Sequence, residues 1–170
     1  MIEETVILAV GANMPGPWGE PKTSVRCAFC AIACQDVTVI ATSSIYTTAP
    51  MGPVPQAAYA NGVALVRTRL EPLALLGMLK RIEISAGRQP GPRWGPRTLD
   101  LDIIDFGGRV IGWTAAHDWS HPAELVLPHP ELHKRRFVLE PLLELLPGWR
   151  HPALGLLVGE MLARLGEDKG

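Results

Sequence analysis

The sequence predicts the α+β class, an antiparallel sheet with helices packed on it. Three observations carry this. Strand-like and helix-like segments follow one another in the order β-α-β-β-α-β, with further helical pattern only near the end. No internal repeat or inter-domain linker interrupts that order, so residues 1–170 read as a single domain. A chain of 170 residues with 47% hydrophobic content is long and apolar enough to bury one substantial core. This element order is that of the ferredoxin-like α/β sandwich, with helices expected on one face of the sheet.

Thr5 to Val10 (TVILAV) is an apolar, β-branched run closed by Gly11-Ala12-Asn13 and a Pro/Gly loop to Pro21. A helix is expected from about Thr23 to Cys34, with Thr23 or Ser24 as its N-cap. VTVIATSSIYTT (37–48) reads as one long strand. The prolines of the stretch 49–55 break any ladder, and a second strand covers roughly Ala58 to Arg67. Leu70 to Ser85 is a helix, since Leu73, Leu76, Leu79 and Ile82 recur near helical spacing and Gly87 stands where a stop belongs. A Gly/Pro-rich loop, 88–96, leads into a strand from Arg97 or Thr98 to Phe106. Gly107-Gly108 makes a tight turn, from which Arg109 to Ile111 is expected to return as a short edge strand. Residues 112–124 lack a clear period and read as a surface excursion. Pro128 to Leu146 should hold one or two helices, the better pattern being Phe137 to Leu146, and a last helix lies near Leu157 to Leu165.

Sixteen basic and seventeen acidic residues leave a formal charge of −1, which argues against general affinity for nucleic acid or acidic membranes. No apolar run reaches the roughly 20 residues that span a bilayer. The acidic start MIEETVILAVG turns straight into a strand and is no signal peptide, so a cytoplasmic address is expected. Cys27, Cys30 and Cys34 are spaced to share one helical face. Their spacing could also wrap a metal ion or iron–sulfur cluster. With small apolar neighbours and no fourth ligand nearby, they read as core packing.

Within RTLDLDI (97–103), strand alternation puts Thr98, Asp100, Asp102 and Ile104 on one face and Leu99, Leu101 and Ile103 on the other. The leucine face belongs to the core. The aspartates then project together, with Cα atoms about 6.7 Å apart. At an effective dielectric near 20 they repel by roughly 2–3 kcal/mol, a cost that a cation would turn into attraction. Hard oxygen ligands at this spacing suit Mg²⁺. A solvated sheet face would also tolerate alternating aspartates. The arginines upstream favour the metal: Arg88, Arg93 and Arg97 lie on or beside a loop that also carries Trp94, and arginine is the usual bidentate partner of phosphate oxygens. Cations for phosphate beside carboxylates for Mg²⁺ form the arrangement that phosphoryl transfer needs. Asp105 falls on the leucine face at the strand end and is expected to reach solvent.

RWGPRTLDLDI (93–103) resembles the signature of the 6-hydroxymethyl-7,8-dihydropterin pyrophosphokinase family. The likeness extends through VGAN (10–13), SSIYTTAPMG (43–52), AYANGVAL (58–65), RIEISAGR (81–88) and LPHPELHKRRFVLEPLLE (127–144), in family order over most of the chain. The resemblance implies transfer of pyrophosphate from ATP to the hydroxymethyl group of the pterin, releasing AMP, in tetrahydrofolate biosynthesis. By the same resemblance, Asp100 and Asp102 hold two Mg²⁺ ions, with Asp102 the candidate proton acceptor. Arg88 and Arg97 grip the triphosphate, and Arg93 with Trp94 belongs to the loop that seals the site. His129 and Arg135 contact ATP, and Glu83 stands near the nucleotide pocket. Tyr59 and Phe137 are the candidate stacking pair for the pterin. Asn61 reads its edge, as a carboxamide presents donor and acceptor together, and Thr48, Ala49 and Met51 line its pocket. The expected partners are these two small molecules, with no nucleic acid or membrane, and a monomer is the expected form.

The chain departs from the family pattern in places. Ala12 stands for a common serine and Ala49 for a more usual proline. Pro130 occupies a position after His129 that is often aromatic. The loop 89–92 is shorter and less basic than in many relatives. The segment 112–124 is an insertion whose H-x-x-x-H pair, His117 and His121, is not expected to bind zinc. Two other classes compete: a ferredoxin-like binding module for RNA, against which the aspartate-bearing face argues, and a kinase that moves only the γ-phosphate.

Overall fold

The computed structural model describes residues 2–48, 57–89, 97–117 and 125–167. Five strands form one antiparallel sheet: β1 (Glu4–Ala12), β2 (Val37–Thr42), β3 (Tyr46–Thr48), β4 (Tyr59–Thr68) and β5 (Asp100–Phe106), in the order β2-β4-β1-β5, with β3 also on β4. Helices α1 (Pro21–Ile32) and α2 (Pro72–Ser85) make the two crossovers, and α3 (Arg136–Leu145) and α4 (Val158–Glu167) follow β5. The expected α+β fold and its β-α-β-β-α-β order are present.

β1 lies inside the sheet and explains the layering. Val6, Leu8 and Val10 point to one face, where they meet Val25, Ala28 and Ile32 of α1 and Leu75 and Leu79 of α2. Ile7 points the other way and packs with Val63, Ile104 and the α3/α4 residues Val138, Leu139, Leu142, Val158 and Met161. Both faces of the strand are therefore apolar, as strand alternation allows. Helices cover both faces, not one, because the C-terminal pair α3/α4 docks on the side opposite α1 and α2. That second cover leaves the end of the sheet bearing Asp100 and Asp102 partly open, each aspartate side chain being 36% exposed.

Several elements differ from expectation for local reasons. Residues 37–48 form two strands, not one. At the break, Ser43 N–H donates to Val63 O and Ser43 Oγ accepts Val63 N–H, so a side chain replaces a ladder bond. Helix α1 begins at Pro21 with Glu20 as N-cap, since proline at the first helical position needs no donor. Ser24, Val25, Ala28 and Ile32 face inward. Cys30 and Cys34 are exposed and Cys27 is half-buried, so the cysteines do not pack the core, and Cys34 lies beyond the helix end. Ile111 pairs with Leu127 instead of returning along the sheet. Gly87 closes α2 at φ +88°, where a side chain would be strained.

Asp105 does not reach solvent. A bulge pairs Ile7 with Asp105 and Leu8 with Ile103, which leaves Ile104 without a partner across the ladder. The bulge reverses the alternation beyond it: Phe106 joins the α1/α2 core, and buried Asp105 accepts hydrogen bonds from Trp149 Nε1 at 3.4 Å and Gly108 N at 3.3 Å.

Candidate active site

The register builds the site. Asp100 of β5 stands opposite Gly11 of β1, Gly11 opposite Asn61 of β4, and Asn61 opposite Tyr46 of β3. These four residues form one row across the sheet, and alternation puts their side-chain positions on the α3 face. With strands about 4.8 Å apart, Asp100 and Asn61 stand roughly 10 Å from each other. Asp102 lies opposite Ala9, one step deeper. A side chain on Gly11 would bring its Cβ to 2.7 Å from Asn61 Oδ1, so glycine lets the Asn61 carboxamide lie across the row. Asn61 Nδ2 donates to Thr48 Oγ1, which fixes which end of the amide faces the open cleft.

Charged groups converge on the aspartates. Arg88 Nη1 donates to Asp100 Oδ1 at 3.0 Å and also to Glu83 Oε2. Glu83, only 4% exposed on α2, accepts Leu101 N–H at 2.8 Å from the edge strand β5. Glu83 thus sits beneath the strand, joining Arg88 to the backbone between the aspartates. Burial pushes its carboxyl up to about 7. Asp102 Oδ2 lies 3.9 Å from His129 Nε2 and 4.0 Å from Arg135 Nη1. His129 Nδ1 accepts Glu131 N–H, so neutral His129 carries its proton on Nε2, toward Asp102. Burial first, then Arg135, lowers the pKa of His129 to about 3. Arg135 also donates to Glu131 at 3.2 Å and stands 5.6 Å from the centre of the Phe137 ring.

Burial raises the pKa of Asp100, and its neighbour Asp102 raises it further. Burial also raises that of Asp102, against Arg135 and Arg88. Tyr59 is raised by burial and by Asp100, and is countered by Arg97, Arg88 and Arg135. The same field therefore reaches the expected pterin face and the expected phosphate grips.

Arg97 is buried ahead of β5, which begins at Asp100 and not at the expected Arg97 or Thr98. Its N–H donates to Asn13 Oδ1 at 2.8 Å, and its carbonyl accepts Asn13 N–H at 3.0 Å. Asn13 Nδ2 reaches Ala57 O at 3.2 Å, so one side chain ties together the ends of the loops that precede β4 and β5. Asn13 was legible only as the polar residue closing an apolar strand. Of the expected site residues, Thr48, Tyr59, Asn61, Glu83, Arg88, Arg97, Asp100, Asp102, His129, Arg135 and Phe137 lie on or around this face. Ala49, Met51, Arg93 and Trp94 lie outside the described residues, as do Trp119 and His121 of the insertion.

An antiparallel α+β sheet that gathers two carboxylates and several arginines on the face that carries Asn61 and Tyr59 fits a phosphoryl-transfer class of protein. Residues 7–147 match the family model described as 7,8-dihydro-6-hydroxymethylpterin-pyrophosphokinase. The chain belongs to that family. It is similar to the 2-amino-4-hydroxy-6-hydroxymethyldihydropteridine pyrophosphokinase of Pseudomonas aeruginosa, 37% identical over 161 residues that cover 94% of this chain and 91% of the relative. Its counterpart in Haemophilus influenzae is 38% identical over 142 residues, covering 83% of this chain and 81% of the relative. Among solved structures, an HPPK-DHPS in complex with substrates superposes with a TM-score of 0.70 at 14% identity, covering 99% of this chain and 44% of that one. The wild-type Plasmodium falciparum HPPK-DHPS with SDX-DHP gives 0.68 at 15% identity, covering 95% of this chain and 43% of that one. The chain thus spans less than half of these solved chains, and at such identities the likeness concerns the fold.

Proposed function

We propose that the protein transfers the pyrophosphoryl group of ATP to the hydroxymethyl group of 6-hydroxymethyl-7,8-dihydropterin, releasing AMP, in folate biosynthesis. The observation that carries this reading is the row Asp100–Gly11–Asn61. It sets carboxylates for the phosphates roughly 10 Å from a carboxamide suited to a heterocycle edge. Tyr59 and Phe137 supply aromatic faces for the pterin, and the amide dipole of Asn61 reads its donor–acceptor edge.

The donor set fits Mg²⁺. Asp102 accepts no hydrogen bond from a described residue, its nearest cations being at 3.9 and 4.0 Å, and its side chain is partly exposed. No cluster of three or more His, Cys, Asp or Glu side chains able to hold an ion occurs among the described residues. An ion held by Asp100 and Asp102 would complete its shell with phosphate oxygens and water, as Mg²⁺ prefers. Two bound Mg²⁺ would neutralise the triphosphate and acidify the attacking hydroxyl. Arg88 and Arg97 would steady the transferring group, with Arg93 and Trp94 closing over it. Arg135 and neutral His129 would orient the nucleotide, and Asp102 would accept the hydroxyl proton.

No helix among the described residues is long and apolar enough to cross a membrane. A monomer in the cytoplasm acting on two small molecules is the form this reading implies. Incubating the protein with ATP, Mg²⁺ and the hydroxymethyl pterin and separating the nucleotides tests it: AMP formed in step with pterin diphosphate is expected. ADP would assign a γ-phosphate kinase instead, and no turnover a binding module.

A further inference from the structure

The pterin cleft has two walls on different elements. Asn61 and Tyr59 belong to β4, and Thr48, on the short strand β3, holds the Asn61 amide. Phe137 belongs to α3, which follows β5 and is far away in the chain. A flat heterocycle stacked between Tyr59 and Phe137 needs the two walls held at one separation, since an ångström of slack at such a site weakens both stacking and edge hydrogen bonds. Among the described residues, one side chain makes polar contact across these walls at the β3 end. Glu144, at the far end of α3, accepts Tyr46 O–H on Oε1 at 2.6 Å and Ser44 N–H on Oε2 at 2.8 Å. Tyr46 is the β3 member of the Asp100–Gly11–Asn61 row.

We propose that Glu144 is a positioning residue for the pterin. Its carboxylate clamps the segment 44–46 to α3 and so sets the gap between Phe137 and the Thr48–Asn61 pair. The inference rests on the pterin reading of the cleft.

Three features favour the clamp over an incidental surface contact. Both carboxylate oxygens are used, one by a backbone N–H and one by a hydroxyl, so two points of the segment are fixed at once. The contact perturbs both partners: the bond to Glu144 raises the pKa of the Tyr46 hydroxyl to about 12, and that of Glu144 is lowered. Behind the segment, on the α1 side, lies an open cleft of about 340 Å³ lined by Lys22, Arg26, Phe29 and residues 42–45. The segment is therefore backed only in part, through Ile45 packing against the α1/α2 core. Ser43 anchors the segment to β4 through Val63, which packs on Val138, Leu139 and Leu142 of α3, so the core sets the coarse spacing and Glu144 fixes what freedom residues 44–46 retain at the far end of the helix.

The test compares Glu144→Ala, Glu144→Gln and Tyr46→Phe with the parent by binding of the pterin and of ATP and by steady-state kinetics. Glu140→Gln is the control: it loosens the exposed pair with Arg136 on the same helix and removes a charge that Tyr46 feels, while leaving both Glu144 hydrogen bonds in place. Glu144→Ala should weaken pterin binding about tenfold and raise its KM similarly, with the dissociation constant for ATP within about twofold of the parent. Glu144→Gln should recover most of the loss, because its carbonyl can take Ser44 N–H while its NH₂ donates to the Tyr46 hydroxyl. Tyr46→Phe should fall between, and Glu140→Gln should match the parent. Pterin binding by Glu144→Ala equal to the parent's, or an equal loss for pterin and ATP, would overturn the assignment. Failure of the parent itself to bind the pterin would instead remove the functional reading beneath it.

Discussion

Arg88 donates to Asp100 Oδ1 at 3.0 Å from the nitrogen that the buried Glu83 carboxylate also holds. A guanidinium so placed neutralises the aspartate, and under the proposed function it would meet phosphate oxygens if the carboxylates held a metal. Glu83 keeps it aimed by bridging Arg88 and the Leu101 N–H. Arg88→Ala should therefore lower kcat roughly 100-fold or more, the scale of losing one preorganised donor to developing charge. The pterin KM should stay within about twofold. Steady-state kinetics in both substrates check this, and a pterin KM that rises as far as kcat falls would reassign the residue.

Asp102→Asn should nearly abolish turnover while leaving the fold intact. Burial holds the folded-state pKa of Asp102 above its ordinary value, so at neutral pH the ionised carboxylate opposes folding instead of favouring it. Removing the charge should leave Tm equal to or above that of the parent, measured by calorimetry without Mg²⁺. A lowered Tm, or near-parental turnover at limiting Mg²⁺, would contradict the role given to this residue.

Gly11→Ala probes the row directly. The new Cβ would come within 2.7 Å of Asn61 Oδ1, so the carboxamide must turn away from its bond to Thr48. Pterin affinity should fall more than about tenfold, with a stability loss of about 1–3 kcal/mol typical of overpacking. Calorimetric titration with the pterin and denaturant unfolding report the two effects separately.

Acid should act against the fold at a ring cluster away from the cleft. His151, fully buried, lies 5.2 Å from Trp113 and 5.9 Å from His133 between ring centres, with Trp149 at 6.0 Å. Its Nδ1 accepts Ala153 and Leu154 N–H. Burial, then His133, lowers its pKa to about 4, and burial, then Lys134, lowers that of His133. The unfolded chain thus binds more protons below its ordinary pKa near 6.5. This cluster should therefore contribute a loss of stability as pH drops from about 6.5 toward 4, at up to about 1.4 kcal/mol per unit for each such proton, opposed over the same range by Glu83, whose raised pKa acts the other way. His151→Asn keeps an acceptor for the two turn N–H groups but cannot titrate, so it should flatten the slope. Urea unfolding at a series of pH values makes the comparison, and an unchanged slope would exclude His151 as its source.

Much of the fold was legible because its signals are local. The apolar run of β1, the period of α2 and the Gly87 stop each depend on a few neighbouring residues, and each appears within a few positions of expectation. The cysteines were misread because their spacing defines a common face without saying which way it points. The helix start at Pro21 and the inward pull of Val25, Ala28 and Ile32 decided that. Asp105 was misread because alternation fails at a bulge, and no residue in IIDF marks one. Glu83 and Asn13 do their work through backbone groups of distant segments, which no spacing within the chain reveals.

The sequence by itself determined the order of elements, the split of β5 into a leucine face and an aspartate face, and the family signature around it. Side-chain alternation and helical period are properties of the backbone, so they need no knowledge of what lies opposite. Only the tertiary structure decided that α3 and α4 pack on the aspartate face, that Asp100, Gly11, Asn61 and Tyr46 share one row, and that Arg88 rests on a buried carboxylate. Those facts depend on register and docking between segments up to about a hundred residues apart, as between Ser44 and Glu144. They are settled by which burial and hydrogen bonds the whole chain can satisfy together.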